Sequence, residues 1–506
     1  MKNSQVILIL FSISLFPEII SLDFTLELRT LLFAVLICFL ILRMLVSMNR
    51  DARKYKQIKN LYIFGNLWSN GVLERQWITS IDIAFIAVTI LTVISFVTKT
   101  ESINAFHYVF VQVGMAVVYF FIRSKKWESA KVGRAKMGMK IPQTPFMKGG
   151  IIVGIGFIVA IIGLIQFAMG KPVVSTFGRT SFLGCFLAMN AAIALGTLLN
   201  IPNEVTLYSC SYSTTCPETE GARGRNEQSQ SEERKPIISI INVGILIAFV
   251  VILGVVILTK SRTAMIAMAV VLPIMIFATK ARRLKEKKKS VEKKELKTKL
   301  YKRKSVKLLL CLGVLVALFL VFNIGKAVYR IRPMSASGRV LIWKVSAEMF
   351  RKNPISGVGF GNFANQYNLY QAEYFASGKG SVINKMTAGQ IRHAYNWYLE
   401  TAVEFGALGL IVFGMFWWLI LKEIFKTFKN IQYSTRNAQF SSKEIKTDHG
   451  LRTTPAYAGH ADYVTLGMAG EVLCFMIMSL FQFPRMIIPT YLLFNIALAW
   501  IVNTNE

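Results

Sequence analysis

Residues 329–370 read YRIRPMSASGRVLIWKVSAEMFRKNPISGVGFGNFANQYNLY, and residues 392–409 read RHAYNWYLETAVEFGALG, with a Gly-, Ser- and Lys-rich tip between them. This is the one long stretch between two apolar segments that is both polar and patterned. It gathers Arg330, Arg332, Arg339, Arg351, Lys352 and Arg392 beside a single histidine, His393. From 329 to 400 acidic residues are sparse, namely Glu348, Glu373 and Glu400. A basic, His-bearing, Gly-punctuated loop held between membrane spans implies a site for an anionic, phosphorylated, lipid-linked ligand.

Working outward, the class follows from composition. Of 506 residues 54% are hydrophobic, and the mean hydropathy is +0.47. Soluble domains carry about 45–50% apolar residues, so the excess points to a membrane protein. Apolar runs of about 18–22 residues recur along almost the whole chain, leaving no room for a separate soluble domain of ordinary size. The formal net charge is +32. Most of the Lys and Arg lie in short loops on one side of the predicted bilayer, which makes them an orientation signal and argues against nucleic-acid binding. Cys38, Cys185, Cys311 and Cys474 lie in apolar segments and read as small packing residues. No Cys/His spacing suits a metal, and none is expected. The N-terminal stretch MKNSQVILILFSISLF, followed by Pro17 and Glu18, reads as a retained first span.

The run lengths predict an all-α polytopic membrane protein with about twelve spanning helices. They fall near 5–22, 29–47, 80–98, 103–123, 148–169, 180–199, 237–258, 262–280, 308–328, 401–422, 464–482 and 485–502. Four regions follow: N-terminal helices (1–147), central helices (148–328), a large loop between the ninth and tenth spans (329–400), and C-terminal helices (401–506). The basic segments NRDARKYKQIK, RSKKWESAKVGRAKMGMK and KARRLKEKKKSVEKKELKTKLYKRKSVK fall on one side by parity. The positive-inside rule makes that side cytoplasmic, with both termini there and 329–400 outside. Loop 200–236 then faces the cytoplasm, so Cys210 and Cys216 are expected to be reduced. The large loop breaks the charge rule, and anion binding is the simplest cause.

Two further outer turns join it. KPVVSTFGRTSFLG (171–184) carries Arg179, and TKSRTAM (259–265) carries Lys260 and Arg262. Arginine suits phosphate because its planar fork makes two parallel charge-assisted hydrogen bonds. Taken alone, each of these cations also reads as a snorkelling helix-end anchor. Within the large loop, Ser335–Ser337–Gly338 reads as a turn presenting Arg339 at the start of an amphipathic helix. Val340, Trp343, Ala347 and Phe350 form its apolar stripe, and it ends before Asn353–Pro354. Gly357, Gly359 and Gly361 alternate, as in a backbone-lined turn against a ligand. His393 is expected to open a helix with Asn396 and Glu400 on its face. Imidazole is suited to accept a proton near neutrality. His107, His449 and His460 read as capping or packing residues.

These residues resemble the O-antigen ligase/polymerase membrane proteins. SGRVLIWKVSAEMFRKNPISGVGFGNF followed by RHAYNWYLETAVEFGALG matches the family's Arg and Trp, Pro–x–x–Gly–x–Gly turn, and His ahead of Glu–x–Gly–x–x–Gly. VVSTFGRTSFLGCFLAMNAA, LTKSRTAMIAM and SLFQFPRMIIPTYLLFNIALA resemble its companion segments, so the likeness covers roughly residues 150–502. Where the family often has Asn-Pro-Asn, this chain reads Gly178-Arg179-Thr180.

The resemblance implies a GT-C-like, metal-independent, inverting glycosyltransferase without a cofactor, in the bacterial inner membrane with its site on the periplasmic face. The implied donor is a glycan on undecaprenyl diphosphate. Arg262 and Arg339 would hold the diphosphate and His393 would serve as base or acceptor-positioning group. Arg179, Lys260, Arg330, Arg332, Arg392, Gly357, Gly359, Asn396 and Glu400 would contact substrate. An O-antigen ligase acting on a lipid A core is the favoured reading, ahead of a polymerase acting on a lipid-linked repeat or a protein O-oligosaccharyltransferase. A lipid-linked-glycan transporter is the contrasting class, for which Glu471, well inside a span, is the discriminating residue.

Overall fold

The computed structural model describes residues 79–99, 103–124, 145–199, 240–291, 333–441 and 460–505. Among the described residues every regular element is helical, with no strand. The elements are α1 (Ser80–Lys99), α2 (Ile103–Ser124), α3 (Pro145–Ala168), α4 (Thr180–Leu199), α5 (Ile240–Leu258) and α6 (Arg262–Val291). After these come α7 (Pro333–Lys352), α8 (Phe363–Ala376), α9 (Val382–Thr387), α10 (Trp397–Ser441), α11 (His460–Met478), a 3₁₀ turn (Pro484–Met486) and α12 (Ile488–Asn505).

Among the described residues six segments are long and apolar enough to cross a membrane: Ser80–Lys99, Phe106–Arg123, Gly149–Ala168, Thr180–Leu199, Arg262–Thr279 and Trp397–Lys429. Val243–Leu258 and Val464–Met478 are shorter apolar helices. The chain is therefore a multi-pass helical membrane protein. The spans expected near 5–22, 29–47 and 308–328, and loop 200–236, lie outside the described residues.

Helix α4 sits at the centre. Its sequence, TSFLGCFLAMNAAIALGTLL, is apolar on every side, and residues 183–197 are all buried. A helix without a polar face must be surrounded, and α3, α5, α6 and α11 surround it. Helix α11 approaches closely because Gly467 has no side chain: a Cβ there would lie 3.1 Å from Ile193 Cα. The peripheral helices show the reverse pattern. Ile90, Ile94, Ile158, Ile165, Val250 and Ile257 are exposed, which suits lipid and not water. Cys185 and Cys474 are buried free thiols.

The two ends of the bundle are held differently. At one end Asp82 of α1 accepts from Arg123 Nε (3.0 Å) and Nη2 (2.8 Å), from Tyr119 Oη (2.6 Å) and from Thr79. Arg123 also donates to Asn503 of α12, so three helices share one buried ion pair. At the other end Lys99 Nζ reaches Ser356 Oγ (2.5 Å) and the Gly357 carbonyl (2.9 Å) in the glycine-rich turn.

That turn completes a broken helix. In α10, Gly406 leaves helical geometry (φ 66°, ψ −154°). The break orphans the carbonyls of Val403 and Glu404 and the N–H groups of Ala407 and Leu408. The turn supplies partners for all four. Val358 N donates to Val403 O (2.9 Å) and Gly359 N to Glu404 O (3.0 Å), while Ala407 N donates to Pro354 O (2.8 Å) and Leu408 N to Ile355 O (3.3 Å). Buried backbone groups require such pairing. Gly357 (φ 64°) and Gly406 both lie in the left-handed region, and a Cβ on either would fall 2.4 Å from backbone atoms of the other segment.

Above this break α7, α8 and α9 form a cap with its own core of Leu341, Ile342, Val345 and Met349 against Phe363, Tyr367, Ala394 and Val403. The predicted stripe is corrected here. Trp343 and Phe350 pack against the cap core as expected, but Val340 and Ala347 are exposed, and the buried apolar positions are 341, 342, 345 and 349. The stripe is displaced because α8 and the chain before α10 cover that side. Helix α7 also starts earlier than expected, at Pro333, a favoured first helical residue. Ser335–Gly338 are therefore helical, and Arg339 lies in the second turn. On the cap surface Glu348 pairs with Lys379 (2.5 Å) and Arg351 (2.6 Å), and these hydrogen bonds hold its carboxyl down to about 2.

Candidate active site

The site is built around Phe483, in the loop that joins α11 to the 3₁₀ turn. The His393 ring lies 4.5 Å from the Phe483 ring, Tyr395 lies 5.3 Å away and Phe182 5.7 Å. Two of these neighbours carry arginines. Arg179 Cζ lies 5.6 Å from the Phe182 ring, and Arg339 Cζ 5.2 Å from the Tyr395 ring. Stacking on aromatic faces orients a guanidinium without neutralising it.

Arg262, the first residue of α6, is close enough to Arg339 for the two charges to oppose each other. Burial lowers the pKa of Arg339 from its ordinary value; Tyr395 counters this and the Arg262 charge adds to it. Among the described residues Arg179, Arg262 and Arg339 make no ion pair with a carboxylate. Two like charges held near each other and partly out of water are relieved by an anion.

The opposite arrangement lies beside His393. This residue does not open the helix, contrary to the sequence expectation: residues 391–396 are irregular, and α10 begins at Trp397. Tyr395 adopts a left-handed conformation (φ 52°), which turns the chain into the helix. Asn396 then caps it, its Oδ1 accepting from Leu399 N (3.0 Å). Asn396 is thus occupied with its helix. The reversal brings Glu400 back under the loop, where Oε2 accepts from Ala394 N (2.9 Å) and Oε1 lies 3.2 Å from His393 Nδ1.

Behind Glu400 sits Arg485. Its Nη2 lies 3.5 Å from Glu400 Oε1 and 3.2 Å from Glu404 Oε2. The guanidinium also lies 5.2 Å from the Phe360 ring and 5.3 Å from the Trp397 ring. The other oxygen of Glu404 accepts from Gly361 N (2.8 Å), which ties the cluster to the glycine-rich turn. Glu400 and Glu404 are each 2% exposed and Arg485 5%, while His393 retains 12%. The imidazole is the outermost member of a buried chain of charges. Tyr108 of α2 closes the remaining side, its ring 5.9 Å from His393.

The other expected residues scatter. Lys260 is exposed at the tip of its turn, in a left-handed conformation (φ 52°). Arg392 is exposed next to His393. Gly357 and Gly359 press against Glu404 and Lys99 respectively, in the turn that completes the helix break. Arg330 and Arg332 lie outside the described residues. Sequence reasoning missed Arg485, Glu404, Phe483 and Tyr108. Two signals were available. Glu400 and Glu404 stand one helical turn apart in an apolar span, and Arg485 is a lone cation in a short turn between apolar segments.

With this geometry in view, residues 247–414 match the family model for the O-Antigen ligases. The match runs from α5 to the middle of α10 and takes in Arg262, Arg339, His393, Glu400 and Glu404, leaving Arg179 and Arg485 on either side. No curated protein matches the chain. Over those residues this multi-pass helical membrane protein is thus similar to the O-antigen ligases.

Proposed function

We propose that the protein is a metal-independent, inverting glycosyltransferase of the O-antigen ligase kind, working at the end of the bundle where α7–α9 form the cap. The donor is a glycan on undecaprenyl diphosphate, and the acceptor is a hydroxyl, in the leading reading that of a lipid A core. The observation that carries this reading is the convergence on Phe483 of carboxylate-free arginines and one imidazole, within a region that matches the O-antigen ligases.

The chemistry runs as a single displacement. The acceptor oxygen attacks the anomeric carbon, the bond from that carbon to the diphosphate oxygen breaks, and its electron pair leaves with the diphosphate. Arg262 and Arg339, with Arg179 beside them, stabilise the charge that develops there. The acceptor proton passes to the Nε2 atom of His393. With the basic loops on the cytoplasmic side, this end faces the periplasm of a bacterial inner membrane.

Single-turnover glycan transfer in proteoliposomes, normalised to folded protein, tests the reading. His393→Ala is expected to lower turnover by about 10²–10⁴-fold with little change in donor binding. Near-normal turnover in that variant removes His393 from the reaction and the reading with it.

A further inference from the structure

Most of the charged groups around the site face outward, but Glu400, Glu404 and Arg485 are buried. Two carboxylates on one face of a spanning helix are costly to bury, and burying them against a single arginine adds little stability over an apolar packing of the same volume. Their arrangement is directional. Gly361 N and Arg485 fix Glu404, Arg485 and Ala394 N fix Glu400, and the one remaining oxygen contact of Glu400 is His393 Nδ1.

We propose that Glu400, backed by Arg485 and Glu404, is the positioning carboxylate for His393: it takes the Nδ1–H, leaves Nε2 bare to receive the acceptor proton, and balances the imidazolium once formed. This rests on the functional reading above and assigns three residues to it. The proton accounting is simple. The acceptor O–H proton moves to Nε2, the Nδ1–H stays on nitrogen in its hydrogen bond to Glu400, and the charge created lies next to a carboxylate already in place. A neutral imidazole with Nδ1 protonated is the tautomer that can act as base at Nε2. Preorganised charge of this kind costs no reorganisation at the moment of transfer.

The groups facing His393 come from several elements: Glu400 from α10, Arg485 through Glu400 from the 3₁₀ turn, Tyr108 with its neighbour His107 from α2, and Arg392 and Tyr395 from its own loop. Glu400 is the one carboxylate in direct contact with it among the described residues. Removing that negative charge makes the protonated imidazole less favourable, so the acid limb of the rate profile moves to lower pH while the plateau falls.

The test is single-turnover transfer against pH for wild type, Glu400→Gln, Glu400→Asp and His393→Ala in proteoliposomes, with an undecaprenyl-diphosphate-linked glycan as donor. Glu400→Gln is expected to lower the plateau rate by about 10²–10³-fold and to displace the acid limb downward, with donor half-saturation unchanged. Glu400→Asp keeps the charge and is expected to return the limb to its wild-type position with part of the rate. If Glu400 only packs, Glu400→Gln lowers folded yield and leaves rate and limb unchanged, which overturns the proposal. An inactive His393→Ala alongside a normal Glu400→Gln sinks this inference alone, whereas a normal His393→Ala sinks the functional reading. Should Glu400→Gln fail to fold, nitrogen-15 histidine spectra of the wild type decide, with His393 identified from His393→Gln. Protonation at Nδ1 with a bare Nε2 supports the assignment, and the opposite tautomer overturns it.

Discussion

Arg339 and Arg485 are both buried or half-buried arginines stacked on aromatic rings, yet their surroundings differ completely. Arg339 lies against Tyr395, and the charge of a second arginine, Arg262, acts on it. Arg485 lies between Phe360 and Trp397 with two carboxylates in reach. The first guanidinium is oriented but left unneutralised, which suits a ligand that arrives with negative charge. The second is fully engaged inside the protein, which suits holding other groups still. Identical side chains thus take opposite roles because one set of neighbours is missing and the other is complete.

Breaking the completed side should have the larger effect. Arg485→Met keeps much of the volume but leaves Glu400 and Glu404 buried together without a cation. A loss of about 3–5 kcal/mol is expected for an uncompensated buried charge, seen as a lowered midpoint in thermal unfolding in detergent. An unchanged midpoint would mean that the cluster is not buried as described.

The open side should respond in rate and not in stability. Arg339→Lys and Arg262→Lys keep the charge and lose the bidentate fork. Each is expected to reduce transfer by about 10²-fold or more, the scale of removing one charge-stabilising donor, with normal membrane levels and melting. Transfer at the wild-type rate in both lysine variants would free these arginines from the diphosphate.

The smallest effect is expected at Glu471, which separates transfer from transport. Its carboxylate is wholly buried in α11, and neither oxygen finds a hydrogen-bond partner among the described residues. Glu471→Gln retains the shape and should leave glycan transfer essentially unchanged, as scored in the same liposome assay. A transporter that used this residue to carry charge across the bilayer would fail instead.

Much of this protein was legible from local pattern. The lengths of its apolar runs give helices that cross a membrane, because a spanning segment must satisfy its own backbone hydrogen bonds. The density of Arg and Lys in 329–400 drew attention to one end of the bundle, where His393 packs on Phe483, and where Phe182 and Tyr395, which also pack on that ring, carry Arg179 and Arg339. The periodicity of α7 was legible but its face was not, since the choice between two neighbouring stripes depends on what covers them.

Tertiary structure alone decided how the charges are distributed among partners. Glycine alternation in PISGVGFGNF reads the same whether the turn cradles a phosphate or mends a helix. Only the break at Gly406, some fifty residues further along the chain, supplies the four orphaned backbone groups that the turn satisfies. Likewise, a helix beginning at His393 would place Glu400 nearly two turns away. The left-handed Tyr395 instead folds the loop back so that they touch. Arg485 reaches Glu400 from 85 positions away. Periodicity and composition report on the backbone's local geometry and on the solvent each face meets; which charge is left unpaired depends on contacts between segments far apart in sequence, and that is set only when the helices pack.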